Sequence, residues 1–327
     1  MSYAVALESL DQVEAEWRAL LRHSAVHTVF LNPTWLRVWW DEFHDGRDLL
    51  LTTVRSAGRL AAVAPLLQEG RRLLLAGDTE ICDYMDITVS AGEEEAAVTA
   101  LLRALVAQEW DEWALWGVPA YSPTLTTLPV VAEAMGLEVT VAVEDICPRV
   151  ELPTAWDDYL AGLGKKDRHE LRRKLRRLAG AEASVRLLDY RTPAEVEAQL
   201  DDFLRLHGAS HHAKAEFMTE RMARFFHRMA VALAEQGLVR LLRLDVGGAN
   251  AAALLCFDCG DELLLYNSGY DPALSSLSVG ILSKALSLQR AIEEGKRWFD
   301  FLRGSEPYKY DLGAKDLRVY RCLVRRR

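Results

Sequence analysis

One stretch of this chain occurs twice. LLLTTVRSAGRLAAVAPLLQEGRRLLL, from Leu49, lies over VRLLRLDVGGANAAALLCFDCGDELLL, from Val239, 190 residues on and without a gap. Gly58 meets Gly248, Ala61 and Ala62 meet Ala251 and Ala252, Gly70 meets Gly260, and Leu73 to Leu75 meet Leu263 to Leu265. Each copy reads as strand, glycine turn, strand, glycine turn, strand, with the glycines where a hairpin needs positive φ. A repeated antiparallel meander restricts the chain to two similar halves, each building its own sheet.

The element order after the meander also repeats. The first copy continues with a helix over residues 93–108, whose Ala97, Leu101, Ala104 and Leu105 share a face, and a strand at Trp113–Trp116 ending at Gly117. The second continues with a helix from about Ser278 to Glu294, closed by Gly295, and a strand at Trp298–Leu302. Meander, crossover helix and returning strand make an α+β unit with a mixed, mostly antiparallel sheet flanked by helices. The predicted domains are residues 1–150 and 151–327. Between the meanders lie predicted helices at Trp156–Leu163, Lys165–Ala179, Ala194–Ser210 and Thr219–Gln236. Near the amino end, Asn32-Pro33 starts another, with Trp35 and Trp39 on one face as packing.

Composition narrows the function classes. The 327 residues are 50% hydrophobic and carry a net charge of −9, so the whole surface cannot coat nucleic acid or anionic membrane. Five dispersed cysteines, no basic leader ahead of an apolar stretch and no run of about 20 apolar residues predict a cytoplasmic protein without a membrane span.

Three segments carry candidate chemistry. KKDRHELRRKLRRL, Lys165 to Leu178, holds eight Lys/Arg against two acids, a local charge of +6. Its like charges at i, i+4, Arg172/Arg176 and Arg173/Arg177 among them, cost an isolated helix about 0.2–0.5 kcal/mol each, which points to an anionic partner for Arg172 and Arg173. The turn from Tyr270 through Leu277, Ser278, Val279, Gly280 and Ile281 opens a helix, where backbone N–H groups can cradle phosphate and Ser278 serves as N-cap. The sequence aligns Cys82-Asp83-Tyr84-Met85-Asp86 with that turn in the first copy, and its carboxylates would repel phosphate. Past the last strand of the second copy, Arg303-Gly-Ser-Glu306-Pro-Tyr308-Lys309 gathers a candidate base (Glu306), acid (Tyr308) and oxyanion-stabilising cations (Arg303, Lys309).

Other signals are weaker. Cys256-x-x-Cys259 sits in a predicted strand, where i and i+3 point to opposite faces, and no metal is expected. His207 and His211 share a predicted helical face, with no evident third ligand.

These segments resemble a known family. FDFLRGSEPYKYDLGA at 299–314, with ICDYMD at 81–86, RHELRRKLRRL at 168–178, LHGASH from Leu206 and SGYDPALSSLSVG at 268–280, resembles the CelD-like branch of the GNAT acyltransferase superfamily, related to the Fem-type aminoacyl transferases. The resemblance implies two tandem GNAT units, the later one holding the acyl-donor site. It further implies acyl-CoA, probed first as acetyl-CoA, with its pyrophosphate at 277–281, and an aromatic-Lys pair at Tyr308-Lys309 assisting transfer. Asp83, Tyr84, Asp86, His207 and Tyr270 are the expected acceptor contacts. The family's glycine-rich loop is reduced here: Gly280 stands, but residue 282 is Leu, so aminoacyl-tRNA stays open as a second donor. The leading expectation is an acyl-CoA-dependent N-acyltransferase acting on a small amine or amino sugar. The alternatives are an aminoacyl-tRNA-dependent transferase and a non-catalytic binding scaffold.

Overall fold

A computed structural model describes residues 2–181 and 183–327. The chain separates into two compact units, residues 1–146 with 317–327, and residues 147–316. Unit 1 runs β1 (Tyr3–Leu7), α1 (Leu10–Leu21), α2 (Pro33–Phe43), β2 (Leu49–Ser56), β3 (Arg59–Glu69), β4 (Arg72–Leu75), β5 (Thr88–Val89), α3 (Glu94–Val106), β6 (Glu112–Pro119), α4 (Thr124–Ala134) and into β7 (Glu138–Glu151). Unit 2 takes the end of β7, then α5 (Trp156–Gly162), α6 (Lys165–Ala179), β8 (Val185–Tyr190), α7 (Pro193–Ser210), α8 (His212–Phe217), α9 (Glu220–Ala234), β9 (Val239–Val246), β10 (Ala249–Cys259), β11 (Glu262–Tyr270), α10 (Val279–Glu293), β12 (Trp298–Asp300) and α11 (Pro307–Asp311). The last strand, β13 (Lys315–Arg325), pairs with β6 of unit 1.

The helix boundaries follow local chemistry. Asn32 caps α2 by accepting Thr34 N–H at 2.9 Å, with Pro33 at the first helical position. Thr192 and Glu195 form a capping box on α7. Trp35 and Trp39 pack inside unit 1, 2% and 1% exposed.

Within unit 1 the sheet order is β1-β2-β3-β4-β6-β13, with β4 and β6 parallel and the other neighbours antiparallel. Within unit 2 it is β8-β9-β10-β11-β12-β7, with β11 and β12 the parallel pair. Both are mixed, mostly antiparallel sheets flanked by helices. The registers repeat as well. Leu49 faces Leu67 and Val239 faces Phe257; Val54 faces Ala62 and Leu244 faces Ala252. Both meanders then skip one residue, so Ala61 and Ala251 are equivalent bulges. Leu66 faces Leu75 as Cys256 faces Leu265.

The meanders part after that residue. In unit 2, β11 bulges once at Tyr266 and continues, bringing Gly269 and Tyr270 opposite Ala253 and Ala252. In unit 1 the matching places, Val63 and Ala62, are taken by Thr88 and Val89 of β5. Residues 76–87 therefore form an insertion within the third strand. This corrects the sequence alignment: Cys82 to Asp86 belong to that insertion, and the counterpart of the Tyr270–Gly280 turn is the link from Val89 to α3.

Candidate active site

The parallel contact in unit 2 is short. Only Glu262–Leu264 pair with Trp298–Asp300, while β11 runs on to Tyr270. Among the described residues no strand pairs with the β12 side of Leu265–Tyr270, an edge without a strand partner whose Ser268 O accepts from Lys214 Nζ. One face of this stretch is covered by α7 so closely that a Cβ on Gly269 would stand 2.2 Å from His207 N.

β12 ends in a kink. Asp300 accepts Leu302 N–H at 2.7 Å, and Leu302 holds a left-handed φ of 58° while buried, at a cost of about 1 kcal/mol. The loop then turns through Gly304 into α11. Lys309, 2% exposed, reaches back and donates to the carbonyls of Leu302, Arg303 and Gly304 at 3.0, 2.7 and 2.9 Å. Its Nζ also lies 2.9 Å from Glu306 Oε2. An ammonium has three hydrogens, and here four oxygens surround it. In this arrangement Lys309 fixes the loop and has no hydrogen left for an oxyanion, which departs from the role expected of it. Glu306 is 55% exposed and reaches solvent. Burial, with Glu306 adding to it, raises the Tyr308 phenol and keeps it a proton donor.

The other wall is α10. Ser278 does not cap it as the sequence suggested: it takes a left-handed φ of 58°, and its side chain makes no capping bond. Ile281 and Leu282 N–H groups bond to Ser278 O, while those of Val279 and Gly280 lie ahead of the intrahelical ladder. A Cβ on Gly280 would stand 2.9 Å from Tyr270 Cδ1, so this glycine lets the end of β11 seat against the helix start. Arg177 of α6 donates to Ser276 O at 3.0 Å, bringing the basic helix to this turn. Arg172 and Arg173 are exposed on α6, with Arg173 paired to Glu170 at 2.7 Å.

Three further side chains complete the site. Lys284 on α10 is 7% exposed; its Nζ donates to Gly280 O at 2.8 Å and lies 5.0 Å from the centroid of the Tyr308 ring. Burial, then the neighbouring Lys214, lower its pKa to about 7. Lys214 on α8, also lowered by burial, donates to Ser268 O at 2.5 Å. His207 Nε2 lies 3.0 Å from Asn267 Oδ1, so the ring donates there. Its Nδ1 is buried without a hydrogen-bond partner, and burial followed by Lys214 depresses its pKa to about 4.

Unit 2 thus brings together His207, Tyr270, Leu277–Ile281, Arg303, Glu306, Tyr308 and Lys309. Asp83, Tyr84 and Asp86 lie in unit 1. Asp86, 1% exposed, accepts from Ser122 Oγ, from Thr124 Oγ1 at 2.7 Å and from Ile87 N at 2.8 Å; Tyr84, 2% exposed, packs near Phe30. Buried in this way, Asp86 and Tyr84 do not present themselves to a dissolved acceptor. His211 leaves the α7 face assigned to it, since α7 ends at Ser210 and His211 caps α8 through its Nδ1. Sequence reasoning missed Lys214, Lys284 and Asn267. The available signal for Lys284 was a charged residue inside the stretch Val279–Leu288, which is otherwise apolar, small or hydroxyl-bearing.

Residues 165–310 match the acetyltransferase (GNAT) domain family. No curated protein sequence matches the chain. Among solved structures the chain is similar to FemX (12% identity, 98% of this chain and 97% of that one, TM-score 0.68). It is similar to L-PGS from Bacillus licheniformis (11%, 95% and 91%, TM-score 0.58). A third likeness is to a tandem GNAT protein from the clavulanic acid biosynthesis pathway (15%, 98% and 98%, TM-score 0.52). At these identities the structures speak to the fold. Among the described residues no helix is long and apolar enough to cross a membrane.

Proposed function

On the premise that residues 165–310 form a GNAT acetyltransferase domain, we propose that the chain is an acyl-CoA-dependent N-acyltransferase working in unit 2. The observation that carries this reading is the open edge of β11 from Leu265 to Tyr270, leading to the start of α10. An extended amide chain adds to an unpaired strand edge through backbone hydrogen bonds, and a pyrophosphate suits the Val279 and Gly280 N–H groups at a helix start. Gly280, packed on Tyr270, and Arg177, on the adjacent turn, fit the same ligand. The donor supplies an acyl group activated as a thioester. In this reading Glu306, the exposed carboxylate of the loop, takes a proton from the amine, and Tyr308 retains one to give. Lys309 holds the loop that carries both.

Calorimetry with acetyl-CoA and longer acyl-CoAs tests the donor. Binding is expected, weakened about tenfold by Gly280→Ala, whose Cβ pushes on the Tyr270 ring (about 1.4 kcal/mol). Absence of binding to any acyl-CoA overturns the reading. Lys309→Met should lower kcat/KM about a hundredfold by releasing the loop, with acetyl-CoA binding little changed; full activity would show that transfer does not depend on the loop Lys309 holds.

The exposed arginines of α6, Arg172 and Arg176, favour a second reading, in which the donor is an aminoacyl-tRNA. That reading expects tRNA binding that falls steeply with salt. A flat salt response removes it.

A further inference from the structure

Unit 2 pairs most of its buried and half-buried cations. Arg240, 1% exposed, meets Asp189 at 2.6 Å and Glu294 at 2.5 Å; Lys296 meets Asp258; Lys309 meets Glu306. Lys214 and Lys284 break the pattern. Among the described residues neither has a carboxylate within ion-pair distance, and each spends one hydrogen on a single carbonyl, Ser268 O or Gly280 O. The charged groups facing Lys284 are Lys214, Lys309 and Glu306, with the Cys256 thiol behind, and Glu306 is already engaged by Lys309. One buried amine and one half-buried amine, beside one committed carboxylate, leave an excess of donors inside a chain of net charge −9. Such burial is costly unless an anion completes it.

We propose that Lys214 and Lys284 form the seat for a carboxylate carried by the amine acceptor, so that the acceptor is an amino acid or a molecule ending in one. This rests on the acyl-transfer reading above. The seat borders the reacting loop, since Lys284 lies against the Tyr308 ring, whereas the phosphate-compatible groups are the α10 N–H groups and the outer arginines of α6. His207 adds an independent feature. With Nε2 donating to Asn267, next to the Ser268 whose carbonyl Lys214 holds, its buried Nδ1 is left without a partner, a second unmet polar group beside the seat. Carboxylate on the lysines would leave the amine to face the loop of Glu306 and Tyr308, without a contact from Lys309.

The test follows the two amines by NMR in protein labelled with 13C at lysine Cε, with signals assigned by their loss in K284M and K214M. The pH titration is run with N-acetylglycine and with N-acetylglycinamide, which differ only in the carboxylate. Binding an anion and binding a proton favour each other, so the acid should raise the Lys284 midpoint by at least about one unit, a tenfold change in proton affinity. The amide should leave it in place. Equal movement with both probes, or none with the acid, overturns the proposal. So does an equal rise with CoA alone, which would assign the anion to the donor's phosphates. A rise with the acid in protein that binds no acyl-CoA would sustain the seat while removing the proposed donor.

Discussion

The two units share a meander to the residue, including the Ala61 and Ala251 bulges, yet one is filled where the other is open. In unit 1, residues 76–87 lie across the end of β6: Met85 N donates to Gly117 O at 3.0 Å, and a Cβ on Gly77 would meet the Trp116 ring at 3.2 Å. Glu144 accepts Gly117 N–H from the other direction at 2.7 Å. In unit 2, β11 runs from Leu265 to Gly269 with only Tyr266 left out of the pairing to β10, and among the described residues no strand pairs with its other edge beyond Leu264. The same register supports either outcome. A few residues inserted in one strand decide whether a sheet presents hydrogen-bonding groups to a ligand or spends them on itself.

The largest effect expected is at the paired positions Gly269 and Thr88. Gly269→Ala places a Cβ 2.2 Å from His207 N, and two backbone segments must separate, costing about 3 kcal/mol. Thr88 already carries a side chain at the matching place, and its Oγ1 accepts Trp17 Nε1–H at 3.1 Å. Thr88→Ala should cost about 1–2 kcal/mol by leaving that buried donor unmet. Urea unfolding with hydrogen exchange resolved by unit measures both. Equal costs would mean that the α7–β11 contact is looser than the geometry states.

Acidification should shift the contributions of two buried groups, one in each unit, in opposite directions. Burial raises Asp86 of unit 1 from 3.8 to about 6, though Ser122, Thr124 and Ile87 N–H oppose it. Its folded pKa lies above the unfolded one, so its stabilising contribution is complete below pH 3.8 and is lost as pH rises through about 6. His207 of unit 2 goes the other way, from 6.5 down to about 4. Its contribution is complete above pH 6.5 and is lost as pH falls through about 4. Between pH 6.5 and 4, unit 1 should gain and unit 2 lose on the order of 2–3 kcal/mol each from these groups. Hydrogen exchange at pH 6.5 and 4.5, corrected for intrinsic rates, reads the difference. Asp86→Asn and His207→Gln should each flatten the response of their own unit alone.

Much of this contrast was invisible in the sequence. The meanders were legible because glycines mark their turns and recur at the same places 190 residues on. Helix α6 was legible from Leu171 and Leu178 on one edge of a basic run. The insertion was not, because whether Cys82–Asp86 match a turn or interrupt a strand depends on Thr88 and Val89 finding Val63 and Ala62, a distant pairing. In the 303–310 loop residue types could be read, but the return of Lys309 onto three carbonyls comes from the Leu302 kink, which no local pattern announces. Lys214 and Lys284 escaped because lysine is ordinarily a surface residue and burial is set by packing.

The smallest expected effect concerns the first hairpin turns, where the units differ by one methyl group. Unit 2 turns through Gly247 and Gly248 at φ 63° and 84°; unit 1 turns through Ala57 and Gly58 at 49° and 84°. A left-handed alanine costs about 1–2 kcal/mol, while glycine returns about 0.4–1 kcal/mol to the unfolded chain. The strain outweighs the entropy, so Ala57→Gly should stabilise unit 1 by about 0.5–1 kcal/mol. Gly247→Ala should destabilise unit 2 by somewhat more, because its Cβ would also meet Ala183 Cβ at 3.3 Å. Neither turn touches the site, so acetyl-CoA binding should be unchanged in both variants. A stabilised Gly247→Ala would show that the two turns, alike in their angles, are not held under the same strain.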